Sequence, residues 1–145
     1  MLKNHLINSM NELFDSFEDS KQNLLLLVAE HSDFNHSLLS QMKGSVCGAI
    51  FPQIIYKEKN YEDAMIVVEL CEEVKVTLSY FKDFDKTKID NQADDIIVFV
   101  DGLSSGITNF LENLYESTSL HTNIIGAGAR KMTLKQDKVL LTKES

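Results

Sequence analysis

The first nineteen residues alternate between apolar and polar positions at helical spacing. Leu6, Met10, Leu13 and Phe17 recur three or four residues apart, and acidic side chains lie on the opposite face. The pattern predicts an amphipathic helix over residues 1–19 with one apolar stripe. Because its polar face is acidic, a lipid surface is an unfavourable partner, and packing of the stripe on a sheet is favoured over partner binding.

Apolar runs farther along the chain predict strands. Leu24 to Ala29 has no polar interruption, which is typical of a strand covered on both faces. The alternation of apolar and polar residues over 74–80 instead predicts a strand with one solvated face. The same criteria predict strands over 44–50, 54–56, 64–70, 96–100, 122–127 and 139–141, a polar turn over 57–60, and helices ending near Gln41 and Leu114.

Two halves of the chain share one order of elements. In each half an apolar strand ends in an acid, and a loop, a helix and a short strand containing Gly-Ala follow. The order strand, helix, strand recurs in any α/β chain and is not by itself evidence of duplication. The acid, glycine and alanine at corresponding positions of the two halves favour a duplication. The sequence predicts repeat one over residues 20–81 and repeat two over residues 95–142, joined by a polar surface connection.

This order of elements predicts an α/β fold. A strand, a helix and a second strand pair in parallel through a right-handed crossover, and the short polar turns that follow favour antiparallel pairing. We therefore expect one domain over residues 1–145, a mixed, mainly parallel plus antiparallel sheet covered by helices and built from two β-α-β-β repeats. Ligands of such sheets bind at the carboxyl ends of the parallel strands, where Glu30 and Asp101 lie.

Composition and charge exclude several classes of function. The 145 residues include 22 acidic and 14 basic side chains, for a net charge of −8. Nucleic acids and anionic membranes are therefore unfavourable partners, because both are bound largely through Lys and Arg. The polar N-terminus does not resemble a signal peptide, no apolar run approaches the ~20 residues of a membrane span, and two cysteines make no disulfide framework. We expect a cytoplasmic protein.

The charge is distributed unevenly along the chain. Residues 130–145 carry a net charge of +3 and the preceding residues −11, and Arg130 is the single arginine. A guanidinium binds carboxylates in a bidentate manner, so Arg130 is a candidate ligand-binding residue. A solvated surface arginine, or one paired with an acid of the body, is the alternative.

Gly126 and Gly128 follow an apolar strand and invite comparison with a dinucleotide fingerprint. The third glycine of that fingerprint is missing, and residues 131–138 do not resemble the start of a helix. Glycines at these positions are also explained by close backbone packing or by positive φ.

Cys47 is a candidate nucleophile only if a base such as His31 lies nearby. A buried inert thiol is the competing interpretation, and Cys71 at a strand end is a weaker candidate. The histidines have no matching cysteine pair, so no metal site and no cofactor is predicted.

Three segments together resemble the N-terminal part of the FIST domain family, the F-box and intracellular signal transduction family. They are Ser45-Val-Cys-Gly-Ala-Ile50, Ile96-Ile-Val-Phe-Val-Asp-Gly-Leu103 and Ile125-Gly-Ala-Gly-Ala-Arg-Lys-Met132. The resemblance covers roughly residues 20–142 and is strongest over the last fifty. Arg130 stands where the family prefers glycine, which would make a pocket at this loop narrower and more cationic. The chain also stops earlier than most members, so we expect a shortened piece or a reduced stand-alone relative.

The resemblance implies a non-catalytic sensory domain that binds a small ligand, such as an amino acid, and signals to a protein partner. The implied ligand-binding residues are Asp101, Gly126, Gly128, Arg130, Cys47, Gly48 and Glu30, with Arg130 holding a carboxylate and Asp101 an ammonium group. Two alternatives stay open. One is an interaction or scaffold module with a vestigial pocket, which would act through a sheet edge or the N-terminal helix. The other is an enzyme that depends on Cys47.

Overall fold

Two compact units make up the chain. The computed structural model describes residues 2–70, 74–84, 89, 93–132 and 139–143. Unit 1 comprises Met1–Val76 with Ala129–Ser145, and unit 2 comprises Thr77–Gly128. The duplication and its boundaries remain a prediction.

Unit 1 contains a five-stranded mixed sheet and a short hairpin. In chain order its strands are β1 (Asn4–Ile7), β2 (Asn23–Ala29), β3 (Val46–Phe51), β4 (Ile54–Tyr56), β5 (Lys59–Tyr61), β6 (Met65–Leu70) and β9 (Leu140–Thr142). The sheet has the order β1-β6-β2-β3-β9, and β4 pairs with β5 separately. Only β2 and β3 pair in parallel among these strands, and the other pairs are antiparallel. A mixed α/β architecture is confirmed, but four of these five strand pairs are antiparallel, so the expectation of a mainly parallel sheet is wrong for unit 1.

Strand β2 lies at the centre of this sheet, between β3 and β6. Leu24, Leu26, Val28 and Ala29 are at most 1% exposed. A strand paired on both edges and covered on both faces leaves no position for a polar side chain, which explains its continuous apolar run. The predicted buried strand is confirmed.

The N-terminal helix is shorter than the spacing predicts. Helix α1 spans Met10–Phe17, and the residues before it form strand β1, which pairs with β6. Ser9 caps the N-terminus of the helix, because its Oγ accepts a hydrogen bond from the Glu12 N–H at 3.1 Å. Pairing with β6 satisfies the backbone of residues 4–7, so the edge of the sheet overrides their helical spacing. The apolar stripe itself is buried at Met10, Leu13 and Phe17.

The hairpin β4–β5 contributes to the core of unit 1, and its first strand and its turn lie where the sequence predicts them. Lys57 and Glu58 have φ values of 47° and 67°, as a two-residue turn between twisted strands requires. This turn places Ile54 in a buried cluster with Ala29, Ala64 and Ile66.

The connection between β2 and β3 contains a 3₁₀ helix, His36–Gln41, and no α-helix. Cover by helices is thus not established for unit 1.

Unit 2 contains a two-stranded sheet and a helix. Its elements are β7 (Asp95–Asp101), helix α2 (Ile107–Ser117) and β8 (Asn123–Ala129), whose last residue belongs to unit 1, preceded by a 3₁₀ helix at Phe81–Asp83. The Asn123 N–H donates to the Asp94 carbonyl, and Gly126 lies against the Val98 carbonyl. Residue numbers rise together on the two strands, so β7 and β8 run parallel. The ring of Phe110 packs on Phe81 and Phe84, with centroid distances of 5.2 and 4.8 Å.

The strand predicted over residues 74–80 is wrong. These residues form no strand, and Val74, Val76, Leu78 and Tyr80 are between 37% and 77% exposed. The boundary between the two units falls after Val76, inside this segment. Alternation predicts a strand only where a sheet edge is available to pair with it, and no described strand pairs here. Cys71 and most of the predicted polar connection lie outside the described residues.

Glycine permits close strand pairing in both units. A Cβ at Gly48 would overlap the carbonyl oxygen of Leu26 on β2, and a Cβ at Gly126 would overlap that of Val98 on β7. No described glycine has positive φ, so close approach, and not a left-handed conformation, is the reason for these residues. The parallel pairs β2–β3 and β7–β8 thus share one packing device.

We predict that Gly48→Ala strongly destabilises unit 1. The added methyl must push β3 away from β2 at the centre of the sheet, which costs at least about 2 kcal/mol of unfolding free energy. Urea unfolding followed by circular dichroism measures the loss. Gly128→Ala adds the same methyl where the nearest described atom, Gly102 Cα, is 3.5 Å away, and should change stability little. Equal effects of the two substitutions would contradict the prediction.

Candidate functional site

The carboxyl ends of β2 and β3 form one edge of the unit 1 sheet because the two strands are parallel. Glu30 directly follows β2, and Ile50 is the penultimate residue of β3. The stretch 129–132 is attached to both ends. The Arg130 N–H donates to the Ile50 carbonyl at 2.9 Å, and the Met132 N–H donates to Glu30 Oε2 at 2.8 Å.

The backbone of Arg130 is held while its side chain faces solvent. The preceding residue, Ala129, is fully buried. The exposed guanidinium donates from Nη2 to the thioether sulfur of Met132 at 3.0 Å. Among the described residues no carboxylate pairs with this guanidinium. Thioether sulfur is a weak acceptor, so most of the hydrogen-bonding capacity of Arg130 remains available.

In unit 2 the parallel ends of β7 and β8 bring Asp101 and Gly102 beside Gly128. Asp101 Oδ1 accepts the Leu103 N–H at 3.0 Å, and the Asp101 carbonyl accepts the Ser104 N–H at the same distance. These bonds make a tight turn stabilised by the acid side chain. A side chain would fit at Gly128, so contact with the described atoms does not explain why this residue is glycine.

The predicted site residues fall into both units. Asp101, Gly126 and Gly128 belong to unit 2, whereas Glu30, Cys47, Gly48 and Arg130 belong to unit 1. Within unit 1, Glu30 and Arg130 are joined through the Met132 amide. Gly48 of β3 is explained by the close pairing of β3 with β2. The assignment of these residues to one ligand site remains a prediction.

Met132 is a site residue that the sequence did not indicate. Its amide binds Glu30 and its sulfur accepts from Arg130. Neither contact follows a local motif, since the partner of the amide lies 102 residues away. Methionine is also uncharged, so the charge distribution along the sequence does not single out this residue.

Cys47 lies in β3, where its Sγ is 3.7 Å from the carbonyl oxygen of Leu24. Burial raises the pKa of the Cys47 thiol above its ordinary value. Among the residues that the structure describes, no base or cation acts to lower the pKa of this thiol. The thiol environment therefore disfavours the thiolate that a nucleophile needs.

Comparison with known proteins identifies one family. The family model of the FIST N domain matches residues 23–144. Neither the curated proteins nor the solved structures compared with the chain gave a match. In the described residues no helix is long and apolar enough to span a membrane.

We predict slow alkylation of Cys47 in the folded protein. Iodoacetamide at pH 8 should modify it at least about ten times more slowly than in the urea-unfolded chain, because a thiol with raised pKa and restricted access holds its proton. Tryptic peptides separate Cys47 from Cys71, and their masses give the two rates. The folded state keeps this proton to higher pH than the unfolded chain does, so its contribution to stability falls as pH rises above the ordinary thiol pKa. Equal alkylation rates before and after unfolding would contradict the prediction, because they would show that the fold neither shields the thiol nor raises its pKa.

Proposed function

The chain belongs to the FIST N domain family, a family of sensory domains in signal transduction, and on that basis we propose that it senses a small ligand bearing a carboxylate. An amino acid or a related metabolite has this chemistry. The domain acts without catalysis, in the cytoplasm, and passes its ligand state to a signalling protein.

One observation carries the proposal: Arg130 is anchored through its backbone, but its guanidinium pairs with no carboxylate in the described part of the chain. The body of the protein is acidic, and an exposed arginine in such a body has many available partners. A guanidinium that pairs with no carboxylate there keeps its N–H donors available for an external carboxylate.

The anchoring lowers the cost of binding. Hydrogen bonds at residue 130 and at residue 132 hold the backbone on both sides of the side chain's attachment point. A receptor whose backbone is already ordered loses less conformational entropy when the ligand binds. The position at the carboxyl ends of parallel strands agrees with the general location of ligand sites in such sheets. The ammonium-binding role of Asp101 stays a prediction.

We predict that a carboxylate ligand stabilises the wild-type protein and that Arg130→Gln abolishes this effect. Thermal unfolding is measured against a panel of amino acids, their decarboxylated amines and related carboxylic acids at millimolar concentration. A ligand at a hundred times its dissociation constant adds about 2.7 kcal/mol to the free energy of unfolding. Arg130→Lys keeps the charge but loses the bidentate geometry, so it should retain only part of the shift.

Lys3→Gln is the matched control because it removes an exposed cation elsewhere in unit 1. It should leave the ligand-induced shift unchanged. No shift with any carboxylate, or a shift that Arg130→Gln leaves intact, would refute the proposed site. Equal stabilisation by the decarboxylated amines would also refute it, because these compounds offer nothing to a guanidinium.

A second candidate function, an interaction module, is favoured by the exposed apolar side chains of unit 2. Ile97 on β7 is 52% exposed and Ile125 on β8 is 70% exposed. Since Gly126 lies beside Val98, these two isoleucines are neighbours on one face of the sheet. Parallel sheets usually have both faces covered, which makes this face a candidate contact surface. The N-terminal helix is a poorer candidate because Phe17 is buried.

We predict that, if this face mediates association, Ile125→Gln weakens it. Light scattering after size-exclusion chromatography over a range of protein concentrations measures the mass. Leu103→Gln, at another exposed apolar residue of unit 2, serves as control. A mass equal to one chain at all concentrations, together with a carboxylate response, would favour the sensory function alone.

A further inference from the structure

We infer that Glu30 is a positioning residue for Arg130, holding the arginine at the strand ends through the Met132 amide. For the use of Arg130 in ligand binding, this inference rests on the proposed function. The positioning itself rests on contacts within unit 1.

The Glu30 carboxylate binds a backbone amide of the stretch that contains Arg130. Its Oε2 accepts the Met132 N–H at 2.8 Å, a distance typical of a strong hydrogen bond to a charged acceptor. Arg130, two residues earlier, supplies a guanidinium that would pair readily with an acid. In the described part of the chain the two side chains form no ion pair. The acid thus secures the loop without neutralising the arginine.

The stretch around Arg130 is attached at two points. Arg130 is held at its own N–H by Ile50 of β3, and the loop after it is held by Glu30 at the end of β2. Two bonds to two neighbouring strands define both the place and the direction of the backbone at residue 130. The Glu30 bond thus adds a second attachment at residue 132, on another strand end than the Ile50 bond.

A positioning role of Glu30 differs from direct ligand binding in what it requires of the side chain. A positioning role needs an oxygen acceptor at residue 30, and it does not need a negative charge. Glutamine supplies that oxygen in a side chain of the same length, and alanine does not. Glu30→Gln should therefore preserve the position of the loop, and Glu30→Ala should release it. If Glu30 instead bound a ligand ammonium group through its charge, both substitutions would abolish that binding.

Limited trypsin digestion of the full chain tests the inference without any ligand. Mass spectrometry follows cleavage after Arg130 and Lys131, with cleavage after Lys57 in the β4–β5 turn as the internal reference for unit 1. Glu30→Ala should raise cleavage at Arg130 and Lys131 about ten-fold relative to Lys57, and Glu30→Gln should stay within about three-fold of wild type. Asp15→Ala, which removes an exposed acid of α1, should change neither ratio.

Unchanged cleavage in Glu30→Ala, or equal release in both Glu30 variants, would overturn the positioning role. If Glu30→Ala unfolds unit 1, cleavage at Lys57 rises as well, and amide hydrogen exchange of the wild-type protein decides the question. The Met132 amide should then exchange at least about ten-fold more slowly than an unstructured amide, and exchange at the unstructured rate would overturn the inference. A wild-type protein that binds no carboxylate would refute the proposed function and leave the digestion result to judge the role of Glu30.

Discussion

The parallel pairing of β2 and β3 through Gly48 is the contact on which the rest of unit 1 depends. Glycine lets the two backbones approach, so that Leu26 and its neighbours are buried between β3 and β6. Because the strands are parallel, both of their carboxyl ends lie at one edge. Glu30 and the Ile50 carbonyl therefore become available together, and the stretch containing Arg130 attaches to both of them.

Charge distribution separates this edge from the remainder of the protein. The chain is acidic overall, and its single arginine lies where the backbone is fastened on two strands. Glu30, at the same edge, binds the Met132 amide, and no carboxylate of the described residues pairs with the guanidinium. The acidic body repels polyanions more strongly than a single carboxylate, which agrees with the proposal of a small carboxylate ligand.

The same parallel pairing appears in unit 2 with a different result. Gly126 lies against Val98 as Gly48 lies against Leu26, but the two-stranded sheet of β7 and β8 leaves Ile97 and Ile125 exposed. In unit 1, β6 and β9 extend the corresponding pair and provide a buried core. Both units therefore contain a parallel strand pair closed over a glycine, and they differ in how many further strands extend that pair.

Local pattern was sufficient to predict the buried strand β2, the β4–β5 turn and the apolar stripe of α1, because run length, periodicity and turn residues are properties of neighbouring residues. The parallel pairing of β2 and β3 was predicted from the order of elements along the chain. It failed over residues 4–7 and 74–80, where the presence or absence of a strand partner decides the conformation. By itself the sequence determined that Arg130 is the single arginine in an acidic chain and that acids follow the strands. Only the tertiary structure decided which group the Glu30 carboxylate binds, because its partner amide lies 102 residues away and no local rule selects it.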